Sequence, residues 1–146
     1  MRRMRALPIA IVAALTVAAS GMAVAESSGS VVLGSKKFAP NGKGFGREHP
    51  RLIYNGGDAS GEVRHIRWHR WGSRKSLATG RTYIFKPHGG YYRHSVRARL
   101  KATGRGHCSG SHRRAYRKLY VRVPKKPGGK LGPWRNWSFT KTICHA

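Results

Sequence analysis

Across residues 93–103 the chain alternates with period two. Val96, Ala98, Leu100 and Ala102 fall on one parity, and Arg97, Arg99 and Lys101 on the other. Successive side chains of a β-strand point to opposite faces, so this run specifies a strand with one buried side and one solvated side. The pattern returns over 114–123, where Leu119, Val121 and Val123 are expected inward and Tyr116, Lys118, Tyr120 and Arg122 outward. Beyond the N-terminal segment no stretch places apolar residues at i, i+3, i+4 and i+7, as an amphipathic helix would. These features predict an all-β fold with almost no helix: a small antiparallel β-sandwich or partly open barrel.

Residues 62–72, E-V-R-H-I-R-W-H-R-W-G, form the densest apolar and aromatic stretch after the N-terminal run and read as the central strand. Strict alternation puts Ile66 and Trp68 on one face with Arg64 and Arg70. Val63, His65, Arg67, His69 and Trp71 take the other. Further strands are expected at 50–54, at 78–86 and at 134–144, the last with Trp137, Phe139 and Ile143 on one face. Turn signals separate them: Asn55-Gly56-Gly57-Asp58, Pro87-His88-Gly89-Gly90, a glycine-rich turn through Gly104, Gly106 and Gly110, and a Lys/Gly/Pro loop at 124–132. The expected core is Ile66, Trp68, Val96, Leu100, Leu119 and Val121.

Residues 1–25 have the layout of a secretory signal peptide: an arginine-rich start, a mostly apolar run and a small-x-small site at Ala23-Val24-Ala25. The alternative is an uncleaved anchor, for which the run is short. Removing the segment leaves about 120 residues, enough for one domain with a modest core. Residues 26–49, rich in Ser, Gly, Lys and Pro, are expected to form a flexible basic arm with room for an edge strand at 30–34. Residues 50–146 form the β domain. Cys108 and Cys144 are the only cysteines, and in an exported chain they predict one disulfide rather than a pair of free thiols. The address implied is secreted, extracellular or cell-wall associated.

The elements Ile66-x-Trp68-x-x-Trp71-Gly72 and Ala78-x-Gly80 resemble a family of small secreted actinobacterial proteins of unknown function. The likeness runs upstream to 50–53 and Gly57-Asp58, and downstream through Val96, Leu100, Cys108, Tyr116, Leu119 and Val121. Members often carry a further cysteine pair after the Ala-x-Gly element, and residues 83–92 here have none. The resemblance implies a β-rich exported domain and brings no activity, ligand or catalytic residue with it.

Thirty Lys and Arg against four Asp and Glu give a formal net charge of +26. A surplus of that size attracts polyanions. Arg97, Arg99 and Lys101 would form one cationic ladder, and Tyr116, Lys118, Tyr120 and Arg122 a second in which rings alternate with charge. The bland alternative is that both ladders are simply the solvated sides of two strands. The partners implied are anionic polymers, meaning cell-wall phosphates, extracellular nucleic acid or acidic polysaccharide. Peripheral contact with an anionic membrane is a further possibility, and nothing fixes the oligomeric state. A cationic antibacterial or membrane-active effector is the alternative role. A secreted ribonuclease using Glu62 or Glu48 with His65 is a more distant one.

No catalytic constellation, metal site or cofactor site is legible. His65 and His69 on a regular strand would stand about 13 Å apart. Cys108, once oxidised, is lost as a ligand beside His107 and His112. Trp68 is expected in the core, whereas Trp134 and Trp137 could lie open enough to stack on a sugar.

Overall fold

The computed structural model describes residues 29–145. The expected signal peptide lies outside them. The strands in chain order are β1 (Val32–Leu33), β2 (Ile53–Tyr54), β3 (Glu62–His69), β4 (Ser76–Thr82), β5 (Val96–His107), β6 (Arg114–Arg122) and β7 (Arg135–Asn136). They form one sheet in the order β1-β6-β5-β4-β3-β2, with β7 also paired to β6. The sheet curls into a half-barrel, so the open-barrel form of the expected fold is the one adopted. All pairings are antiparallel except β1 with β6, which is parallel. The described residues contain no α-helix, only three short 3₁₀ turns.

The alternating run becomes β5, at 12 residues the longest strand. Val96, Ala98, Leu100 and Ala102 are buried on its concave side, the last three in one cluster with Leu119, Ile66 and Ala78. Val121 is partly buried and packs against the same cluster. The 62–72 stretch is not central: β3 has only β2 outside it, and the middle of the sheet is β4 and β5. Its strict alternation also fails. The pairing with β4 slips by one residue between Arg64 and Arg67, and His65 adopts a left-handed φ of 53°. That β-bulge puts Arg64 and His65 both outside and brings Val63 in with Ile66. Gly80 lies beneath the bulge, where a Cβ would come within 2.6 Å of Val63 Cγ1. The glycine of the Ala-x-Gly element is thus set by a close approach of two strands.

A second reversal occurs on β5 and β6. Pairs on either side of Gly104 keep one register, from Ala102 with Leu119 to Arg105 with Tyr116. Gly104 itself has φ 69° and turns the pleat over. Gly104 and Gly106 therefore lie inside the strand, and the turn is confined to Ser109 and Gly110. Below the reversal Tyr116 points inward and is fully buried, which corrects its placement on the outer ladder.

The segment read as a flexible arm is packed into the fold across its described part. Val31, Val32, Leu33, Phe38, Ala39 and Phe45 are buried, and Phe38 meets Phe45 edge-to-face at 4.8 Å. Short apolar clusters between glycines suffice because β1 lies along β6. The boundary at residue 50 accordingly falls within the domain. At the other end the expected strand over 134–144 shrinks to β7 and a 3₁₀ turn (Trp137–Phe139), in which Ser138 and Phe139 both have positive φ. Phe139 is consequently thrown out to 85% exposure, while Trp137 and Ile143 are buried. Cys108 and Cys144 are joined in a disulfide, buried beside Val32 and Ala115.

The tryptophan element clamps the N-terminal segment. Trp68 is partly buried rather than enclosed, and its Nε1 donates to Pro50 O at 2.9 Å. Trp71 Nε1 donates to Val31 O at 2.9 Å. Trp71 packs edge-to-face on Trp68 and on Tyr116. The Tyr116 hydroxyl donates to Ser73 O at 2.7 Å and accepts from Gly72 N–H at 2.9 Å, and Arg105 donates to Gly72 O. Burial pushes the Tyr116 phenol above its usual value of 10.0.

Replacing Tyr116 by Phe leaves two part-buried backbone groups, Gly72 N–H and Ser73 O, without this partner. We expect a loss of about 1–3 kcal/mol in urea unfolding. The stability tied to the neutral phenol is complete below pH 10. It is lost above that pH, as unfolded chains ionise first. The Phe variant should lack that alkaline decline.

Candidate functional site

Directly paired residues share a face of a sheet, so the register shows which outward side chains meet. On the convex side Arg64, Arg81 and Arg97 line up across β3, β4 and β5. The next row is Arg67, Thr79, Arg99 and Arg122, and the third is His69, Leu77, Lys101 and Tyr120. Lys118 follows, opposite Thr103. The two ladders expected from separate strands are therefore one surface, since β5 and β6 are neighbours and β4 and β3 add arginines of their own. Of the candidates, Arg97, Arg99, Lys101, Lys118, Tyr120 and Arg122 belong to it. Tyr116 does not.

Trp134 completes the surface. Lys101 Nζ stands 4.7 Å from the centroids of both Tyr120 and Trp134, and the Arg122 guanidinium carbon lies 4.9 Å from Trp134. Rings sandwiched with cations hold those side chains in place and keep flat faces near the charge. Trp134, half-buried, was legible in sequence only as an open aromatic. Trp137, weighed with it for sugar stacking, is instead a core residue at 3% exposure.

Like charges directly opposed across strands destabilise a sheet. Arg81 opposes Arg97, and Arg99 opposes Arg122. Among the described residues the ion pairs are Arg64 with Glu62 and Arg113 with Glu48. Arg81 is held by donation to Ser95. Among the described residues no other cation of the face is ion-paired with a carboxylate. An external anion would relieve the repulsion that the fold itself leaves standing.

The carboxylates named for a ribonuclease are each ion-paired with an arginine. Glu62 and Glu48 sit in the ion pairs above, and His65 is exposed on the bulge. Asp58 accepts from Ser60 N–H at 2.9 Å and Ser60 Oγ at 2.6 Å, which holds its carboxyl below the usual value. Among the described residues no three His, Cys, Asp or Glu side chains gather as a metal site.

A concavity opens at the mouth of the half-barrel. It is a groove of about 630 Å³ between the start of β3, the end of β4 and the end of β6. Val63, Ile84, Val121 and Val123 form its apolar walls, with Trp137 and Phe139 from the 3₁₀ turn. The chain matches no family model, no curated protein and no solved structure.

Proposed function

We propose that this is an exported, non-enzymatic domain that binds anionic polymers of the cell envelope or its surroundings. The observation that carries the reading is the convex face, where rows of cations cross β3 to β6 with Tyr120 and Trp134 interleaved and, among the described residues, only Arg64 is paired with a carboxylate. Phosphates spaced along a polymer can meet successive rows, and bases or sugars can lie on the rings. The buried disulfide fits an oxidising compartment outside the cytosol. Each cation sits on a strand whose opposite side is core, so the spacing of their backbone attachment points is fixed before any polymer arrives.

The reading is tested by titrating the protein with double-stranded DNA, as a regular phosphate polymer, over a range of salt. Log affinity should fall linearly with log salt, with a slope steeper than about −4 if five or more cations of the face contact phosphate. A slope shallower than about −2 would mean that the face does not act as a unit.

A further inference from the structure

Among the described residues four large hydrophobic side chains are exposed, and three of them stand together. Tyr83, Phe85 and Phe139, at 37%, 52% and 85% exposure, all border the concavity at the barrel mouth. Single exposed apolar side chains are ordinary on a folded protein, whereas a cluster marks a contact surface. Two elements hold the rings out. Beyond β4 the chain turns back on itself, with Lys86 N–H donating to Gly90 O at 2.9 Å and Tyr92 N–H to Ile84 O at 3.1 Å. In this hairpin Phe85 stacks on Tyr91 with ring centroids 4.4 Å apart. Phe139 is sent outward by the left-handed turn, at φ 57° after Ser138 at φ 48°, and Asn55 Nδ2 donates to Ser138 Oγ at 3.0 Å. A phenylalanine adopts that region at a cost, and here it gains no burial within the chain in return.

The same border carries Lys125 and Arg135, both exposed, and the exposed Lys86 follows Phe85 in the hairpin. Asp58 is the one carboxylate among the described lining residues. Rings set in a collar of cations match the chemistry of an anionic bilayer surface. Aromatic side chains settle at headgroup level, and ammonium and guanidinium groups stay beside the phosphates. We infer that the barrel mouth docks on an anionic phospholipid bilayer, with Phe139, Phe85 and Tyr83 entering the headgroup layer and Lys86, Lys125 and Arg135 on its phosphates. This docking does not depend on the cation rows of the convex face.

Flotation with vesicles of phosphatidylcholine alone, and of an equal mixture with phosphatidylglycerol, tests the inference. The protein used is the chain from residue 26, which contains the whole described fold and lacks the apolar N-terminal run that would itself enter lipid. Partition into the mixed vesicles should exceed partition into neutral ones by about tenfold or more, as three cations at an anionic surface provide. The double substitution Phe85→Ser with Phe139→Asn leaves the charge unchanged, so a loss it causes is not electrostatic, and about a tenfold loss or more is expected. Phe139→Asn alone suits the left-handed backbone. Its thermal midpoint should hold or rise while partition falls about threefold or more. If the double variant lacks a cooperative melt, Phe139→Asn decides. Wild-type partition in the variants that fold, or equal partition into neutral and mixed vesicles, overturns the proposal. A matching loss of affinity for double-stranded DNA would give the rings to the polymer instead and overturn it too. So would a wild-type dimer, seen by sedimentation without lipid and abolished in the variant, since the rings would then meet a second copy.

Discussion

Replacing both Cys108 and Cys144 by alanine is expected to lower stability by about 4 kcal/mol, the chain-entropy value for a loop of this length. The two cysteines are separated by 36 positions. A domain of this size is stable by only about 5–15 kcal/mol in all, so the loss is a large fraction of the whole. The midpoint of thermal unfolding should drop by roughly 10–20 °C. The bond also has a local role. Cys144 closes the C-terminal tail onto the β5–β6 turn, and the tail in turn holds the N-terminal edge. Ile143 N–H donates to Arg117 O at 2.8 Å, Ser35 N–H to Ile143 O at 3.0 Å, and Gly34 N–H to Tyr116 O at 2.9 Å. Gly34 allows this close approach, since a Cβ there would lie 2.2 Å from Ile143 O. Amide exchange in the double variant should therefore accelerate first at Ser35 and Ile143, and only later in β4 and β5. Urea melts that differ by less than about 1 kcal/mol would show that the tail stays docked without the crosslink.

How much of this was legible depends on whether the period of two survived folding. It survives along Val96, Ala98, Leu100 and Ala102, and there the sequence and the burial agree residue by residue. It breaks at His65 and Gly104, where the backbone passes through left-handed φ. A glycine inside a strand pattern is a known sign of such a break, so Gly104 was a usable warning that Tyr116 would turn inward. His65 offered no comparable warning. The C-terminal misreading has the same cause in reverse. Trp137 and Phe139 are two apart and looked like one face of a strand, but Ser138 and Phe139 sit in a left-handed turn that sends the rings opposite ways. In the N-terminal segment the edge strand expected at 30–34 forms as β1, but average composition concealed that Val31, Leu33, Phe38 and Phe45 all pack into the core. For the convex face, the sequence showed cations on individual strands. It could not show that Arg81 meets Arg97 or that Trp134 returns beside Lys101, because long-range pairing decides both.

Substituting Arg97, Arg99 and Lys101 together by alanine should weaken binding to double-stranded DNA by between a hundredfold and a thousandfold at about 0.1 M salt. Each phosphate contact contributes roughly 0.9 to the salt slope, hence close to one decade of affinity at that concentration relative to 1 M, and three contacts compound. Stability should not fall in parallel. These side chains project from the convex side, and removing them relieves the repulsion between Arg81 and Arg97 and between Arg99 and Arg122. Overall charge is a competing explanation, because any cation on a +26 chain adds to long-range attraction. A variant with Lys36, Lys37 and Lys43 changed to alanine removes the same charge from exposed positions outside the face. It should lose less than about tenfold, because diffuse attraction is screened within roughly 10 Å at this salt whereas contacts are not. Lys101 has a further part, since its ammonium is shared between Tyr120 and Trp134. Lys101→Ala alone should free both rings and cost more than Arg97→Ala. Equal losses from the face variant and the control would reduce the surface to bulk charge, and the ordered rows would then have no role in binding.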